Sequence, residues 1–206
     1  MAIPCPRCGR EYDVALFPFG RTIHCTCGSR VGVEARVRDL SRGAPRFMAD
    51  AMLGRLARWL RILGFDTAWE AHIADGDLVR RALEQGRVIL TRDRALPAEW
   101  RVDGVYLLEE EEPIAQLRDV AEAFQLAGRV RLFTRCSRCN TVLVRASREE
   151  ARASVPPRVL EAQAELFRCP GCERFYWSGS HTRRMRRVVD ELLGPGREGE
   201  RERGRC

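Results

Sequence analysis

Eight of the nine cysteines of this chain stand in four close pairs, and none falls between Gly28 and Arg135. The pairs are Cys5-x2-Cys8, Cys25-x-Cys27, Cys136-x2-Cys139 and Cys169-x2-Cys172. Two short knuckles brought together by a hairpin supply the four tetrahedral ligands that zinc requires, so the spacing predicts a zinc ribbon towards each end of the chain. After each pair comes a residue suited to a tight turn, Gly9, Gly28, Asn140 or Glu173, which would aim backbone N–H groups at sulfur. Four thiolates leave zinc no open position for substrate, so both sites read as structural. His24 is a rival ligand beside Cys25, and a thiol redox centre is the alternative use of such pairs.

Charge follows the same boundaries. The 206 residues include 36 arginines and no lysine, which excludes a Walker-type phosphate loop, a Schiff-base lysine and a pyridoxal enzyme. Every fixed cation is a guanidinium, a planar fork suited to phosphate. The net charge is +4 up to Arg46, −5 from Phe47 to Gly128 and +8 from Arg129 to Cys206. Basic ends suit a polyanion, and an acidic centre suits clustered carboxylates or a solvated surface. No apolar run approaches the roughly 18 residues of a membrane span, and the start MAIPCPRC carries no signal-peptide h-region, so the expected place is the cytoplasm.

The acidic middle alternates apolar strand runs with helical spacing. Arg46-Phe47-Met48-Ala49 ends at Asp50; Leu53, Leu56, Leu60 and Leu63 follow at helical spacing before Gly64. Phe65 to Trp69 reads as a second strand, Asp77 to Gly86 as a helix, and Val88 to Thr91 as a buried strand ending at Asp93. A short helix with Pro97 and a strand from Val105 to Leu108 come next. A last helix opens on the negative turn Glu109 to Glu112 and runs to Ala127. Such alternation predicts a small α/β domain with a mostly parallel sheet and flanking helices over residues 46–128. Zinc ribbons occupy residues 1–45 and 129–193, the second carrying a basic helix, and residues 194–206 read as a disordered tail.

In an open parallel sheet the site lies beyond the carboxyl ends of the strands. Asp50 and Asp93 stand just after strands, and Asp75 and Asp77 lie in the loop and cap before a helix, so these carboxylates could converge at one edge. Hard oxygen ligands suit Mg²⁺ or Mn²⁺, which can activate water for phosphoryl displacement. The plainer reading of each aspartate is a helix cap. Arg55, Arg58 and Arg61, opposite the leucines, read as a solvated face or as a phosphate-contacting ridge. Near the C-terminal end, Tyr176 and Trp177 precede Arg183, Arg184, Arg186 and Arg187 on a helix that Ser180 would cap. The aromatics either stack on unpaired bases or pack the ribbon against the sheet, while the arginines neutralise phosphates.

The stretches RFMADAMLGRLARWLRILGFDT, DGDLVRRALEQGRVILTRDRAL, FTRCSRCN, VPPRVLEAQAELFRCPGC and FYWSGSHTRRM resemble the Mut-seven C-terminal RNase family from about Arg46 to Met185. That family has a PIN-like nuclease fold with a C-terminal zinc ribbon. The resemblance implies a metal-dependent RNase whose acidic positions fall on Asp50, on Asp75 or Asp77, and on Asp93. Nucleases of that fold generally assemble three or four acids; no clear further acid follows Asp93 in this sequence, and the N-terminal ribbon lies outside the family core. The reading that results is a ribonuclease acting on RNA with two structural Zn²⁺ ions and catalytic Mg²⁺ or Mn²⁺. A non-catalytic zinc-ribbon RNA-binding or adaptor protein is the alternative, and oligomeric state is open.

Overall fold

The computed structural model describes residues 1–37 and 43–194. Of the expected tail, residues 195–206 with Cys206 lie outside the described residues. The chain divides into two units, residues 1–57 with 67–113, and residues 58–66 with 114–206.

The first unit opens with two antiparallel hairpins, β1 (Ala2–Pro4) with β2 (Glu11–Asp13) and β3 (Ile23–His24) with β4 (Arg30–Val31), each carrying one cysteine knuckle. Their shared interior is small: Cys5, Phe17, Cys25 and Val31 are buried, with Ile3, Tyr12 and Ile23 packed around them. The parallel sheet follows, built from β5 (Phe47–Ala49), β6 (Thr67–Trp69), β7 (Val88–Thr91) and β8 (Val105–Leu107) in the order β6-β5-β7-β8. Every residue of β5 and β7 is buried, as expected for strands covered on both faces. From β5 the chain passes to β6 on one side, then returns beyond β5 to β7 on the other. The order therefore reverses between β5 and β7, the kind of position where open α/β sheets bind ligands.

Helix α1 (Gly54–Ile62) links β5 to β6, and the division between the two units falls inside it. Helix α2 (Asp75–Gln85) buries Leu78, Val79 and Ala82 against Met48, Ile89, Leu96 and Trp100. It starts at Asp75, not Asp77, because Leu78 N–H already reaches Ala74 O at 2.9 Å. Gly86 closes it in the left-handed conformation (φ 60°). A four-residue helix, α3 (Leu96–Glu99), precedes β8. The acidic run Glu109–Glu112 is not the first turn of the next helix, which begins at Pro113 with no acid in that turn. Instead Glu109 and Glu111 reach back to the loop after β7, pairing with Arg94 (3.6 Å) and Arg92 (2.7 Å).

In the second unit α4 (Pro113–Ala123) ends short of the expected Ala127. Gln125 takes a positive φ of 51°, and Leu126 N–H returns to Ala121 O at 2.9 Å. Gln125 thus stands where helices usually place glycine, closing the last carbonyls four residues early. The 29 residues between Cys139 and Cys169 are not a plain spacer. They hold β9 (Val144–Ala146), α5 (Arg148–Ala151), α6 (Pro157–Ala162) and β10 (Leu166–Arg168). Strand β11 (Phe175–Trp177) completes an antiparallel sheet ordered β11-β10-β9. Helix α7 (Ser180–Leu193) is capped by Gly179, not Ser180. Thr182 Oγ1 accepts from Gly179 N and donates to Gly179 O, which satisfies the terminus from inside the helix.

Candidate active site and metal centres

Cys5, Cys8, Cys25 and Cys27 bring four sulfurs within 4.8 Å of one another, and so do Cys136, Cys139, Cys169 and Cys172. The closest approaches are 3.6 Å (Cys5–Cys27) and 3.5 Å (Cys8–Cys25), then 3.6 Å (Cys136–Cys172) and 3.3 Å (Cys139–Cys169). A disulfide needs about 2.05 Å. Zn–S bonds of about 2.3 Å give tetrahedral edges near 3.8 Å, so each group could bind zinc. His24 is exposed and belongs to neither group. The knuckle turns form as the spacing predicts. Gly9, Gly28, Asn140 and Glu173 all have positive φ, and each donates its N–H to the carbonyl of the first cysteine of its pair.

The C-terminal group is buttressed by Arg61, which corrects the expectation of a solvated side chain. Arg61 is 4% exposed. Its guanidinium donates to Arg138 O (2.7 Å) and Ser137 O (3.3 Å), the two carbonyls inside the first knuckle. Burial pulls its pKa below the ordinary value, and the charges of Cys136, Cys139 and Asp66 oppose that. A buried cation beside four thiolates offsets part of the negative charge that a zinc tetrathiolate carries. Tyr176 is half-buried, packs among Cys136, Leu143 and Cys169, and places its hydroxyl 3.0 Å from Cys136 Sγ. Trp177 packs with Ala151, Val155 and Leu166 within the ribbon's own insertion. Arg183, Arg184, Arg186 and Arg187 are all exposed on α7, and Arg55 and Arg58 are exposed on α1.

The acidic site is built on the reversal of strand order. Asp50, at the end of β5, is 5% exposed and caps the 3-10 turn Ala51–Leu53. Its Oδ1 accepts from Ala51 N–H (2.5 Å) and its Oδ2 from the Thr91 hydroxyl (2.6 Å). Thr91 Oγ1 in turn accepts from Asp93 N–H at 2.9 Å, so one buried hydroxyl links the ends of β5 and β7. Asp93 Oδ1 accepts from Ala95 N–H at 2.8 Å, an Asx turn that starts the approach to α3. Trp69 Nε1 donates to Ala51 O at 3.0 Å. The same indole lies where a Cβ on Gly54 would come, 2.7 Å from its ring, so only glycine lets the ring close over the Asp50 turn.

Asp75 and Asp77 part company. Burial pushes the Asp75 carboxyl above its ordinary value, and the charges of Asp50, Asp93 and Glu99 push it further. Asp77 faces Arg80 at 2.8 Å, and that hydrogen bond holds its carboxyl below the usual range. Glu99 is an acid that the sequence reading passed over. Its place at the last position of α3, six residues after Asp93, was the available signal, but spacing alone does not show that its charge acts on Asp75.

Among the described residues only the two cysteine groups bring three or more ligand atoms within 4.8 Å. Asp50, Asp75 and Asp93 share one field without closing into such a set. A donor set of this kind fits Mg²⁺ or Mn²⁺, because Mg²⁺ keeps several waters and takes only one or two protein carboxylates directly. Burial and, after it, the neighbouring carboxylates raise Asp75, and a divalent cation would relieve the second of these.

No helix among the described residues is long and apolar enough to cross a membrane. Among known families, residues 45–189 match the Mut7-C RNAse domain. The comparisons with curated proteins and with solved structures gave no match.

Proposed function

We propose that this chain, which belongs to the Mut7-C RNAse domain family, cleaves RNA phosphodiester bonds at the carboxylate edge of its parallel sheet. The observation that supports this most is the Thr91 hydroxyl shared between Asp50 and the Asp93 backbone at the sheet's reversal point. Asp50, Asp75 and Asp93 are the residues that would hold Mg²⁺ or Mn²⁺, with Glu99 as a fourth acid; Asp77 is left to its partner Arg80. When bound, the cation supplies charge for water activation and for the phosphoryl displacement. Asp50, with both oxygens receiving hydrogen bonds, is fixed in rotamer. Asp75, whose carboxyl is raised by burial and by the neighbouring carboxylates, is suited to take up a proton from the attacking water.

The nuclease chemistry is assigned to residues 46–128 and RNA holding to residues 129–193. Exposed arginines at 183, 184, 186 and 187 on α7 would contact flanking phosphates, and Arg55 and Arg58 would do so from α1. Zinc in both cysteine groups would be structural, and the reduced thiols this needs fit the cytoplasm. The test is Asp93→Asn. It should abolish Mn²⁺-dependent cleavage of RNA while leaving two zinc ions per chain and the circular dichroism unchanged. Undiminished cleavage would sink the assignment.

A non-catalytic RNA-binding role is favoured by one observation, the open spacing of the carboxylates. Salt-dependent RNA binding with no Mg²⁺- or Mn²⁺-dependent turnover would select it.

A further inference from the structure

We infer that the N-terminal zinc ribbon is an internal brace for the acidic site, with Thr22 and Arg30 as positioning residues that cap α3 and hold Glu99 in place. Helix α3 has four residues, too short to be stable alone, and its last carbonyls have no partner within the helix. The ribbon supplies those partners. Arg30 Nη1 donates to Pro97 O (3.1 Å) and Ala98 O (2.7 Å). Thr22 donates its N–H to Glu99 O (2.7 Å) and its hydroxyl to Glu99 O (2.9 Å) and Ala98 O (3.2 Å). Three carbonyls of α3 are thus satisfied by two side chains and one amide of a ribbon some 70 residues earlier in the chain.

The contact continues beyond the helix. Arg101 N–H donates to Gly20 O, Ala35 N–H to Arg101 O, and Asp103 N–H to Ala35 O. Val37 N–H donates to Asp103 Oδ1, and the Arg21 guanidinium lies 5.8 Å from the Trp100 ring centroid. Gly20 is required here: its φ is +83°, and a Cβ on it would sit 2.6 Å from Arg101 O. The ribbon's small interior makes its folding depend on bound zinc. Order in α3, and with it the placement of Glu99, is therefore tied to occupancy of the first cysteine group. These residues precede the part of the chain that matches the family. The consequence for cleavage rests on the nuclease reading; the brace itself does not.

The experiment uses the full chain carrying Thr22→Val with Arg30→Met, and Thr22→Ser as the conservative control. Zinc content, hydrogen exchange at the Glu99 and Trp100 amides, Mn²⁺ binding by calorimetry and steady-state RNA cleavage are measured together. The double variant should keep two zinc ions per chain, exchange those amides about tenfold faster or more, and bind Mn²⁺ about tenfold more weakly. Its kcat should fall while KM for RNA holds, and Thr22→Ser should restore each value. Unchanged exchange with unchanged Mn²⁺ affinity overturns the brace. Should the double variant not fold, Cys27→Ser replaces it, with faster exchange at the same amides expected and unchanged exchange overturning. Wild-type protein without Mn²⁺-dependent cleavage would overturn the nuclease reading alone, since exchange decides the brace.

Discussion

The Thr91 hydroxyl donates to Asp50 Oδ2 at 2.6 Å while accepting from the Asp93 N–H, with Thr91 fully buried. A threonine at the end of an apolar strand thereby ties the Asp50 carboxylate to the backbone of Asp93, 43 positions later in the chain.

Thr91→Val keeps the shape and removes both bonds. A buried acceptor and a backbone donor left unpaired cost about 1–3 kcal/mol. The melting temperature should fall by several degrees, and metal-dependent cleavage should fall by more than the loss of folded protein explains. Thr91→Ser should retain both properties. Calorimetry beside initial-rate measurements separates the two effects, and equal behaviour of the Val and Ser variants would refute the link.

Asp75→Asn and Asp77→Asn should behave differently, because Asp77 is engaged by Arg80 and Asp75 lies in the field of Asp50 and Asp93. Loss of Asp75 should reduce cleavage by about 100-fold or more, on the scale of losing a positioned acid-base or ligand group. Loss of Asp77 should leave it within about threefold, since an exposed ion pair on one helix contributes little. Single-turnover assays on both variants check this; the opposite ranking would exchange the two roles.

The raised Asp75 carboxyl also has a stability consequence. An acid whose folded-state pKa lies above its unfolded value is penalised when ionised, fully above the raised value and not at all below the ordinary one. Without added divalent cation, Asp75→Asn should therefore melt slightly higher than wild type at neutral pH. The gain should be about 1 °C, because solvent screens most of the repulsion at a partly exposed group. It should disappear as pH falls through the carboxylate range. Paired thermal melts across pH read this directly, and a gain that grows on acidification has the wrong sign.

Arg61→Met would leave the Ser137 and Arg138 carbonyls without their donor and remove the buried cation beside the second cysteine group. Outer-shell changes of this kind typically cost about 10–100-fold in metal affinity. Zinc should leave this site at lower chelator concentration than it leaves the N-terminal site. A chromogenic zinc-release titration resolves the two steps; simultaneous release at the wild-type concentration would contradict the role.

Much of the architecture was legible before any coordinates. Cysteine pairs, the turn residues after them, and the alternation of apolar runs with helical spacing are local signals, and local chemistry determines them: zinc needs four close thiolates, and buried strands need unbroken apolar runs. The resemblance pointed to Asp50, Asp93 and one of two further aspartates for the acidic site proposed above. Tertiary structure decided what depends on partners distant in the chain. The side chain of Arg61 reads as surface on its helix face, yet two carbonyls of a knuckle 76 and 77 positions away bury it. Asp75 and Asp77 sit two residues apart with the same chemistry, and only the direction each leaves the first turn of α2 separates them. The last carbonyls of α3, the helix that carries Glu99, are capped by Thr22 and Arg30, which lie outside the family match. Spacing along a chain fixes which face of an element a residue occupies, but what stands opposite that face is settled only when non-local segments pack.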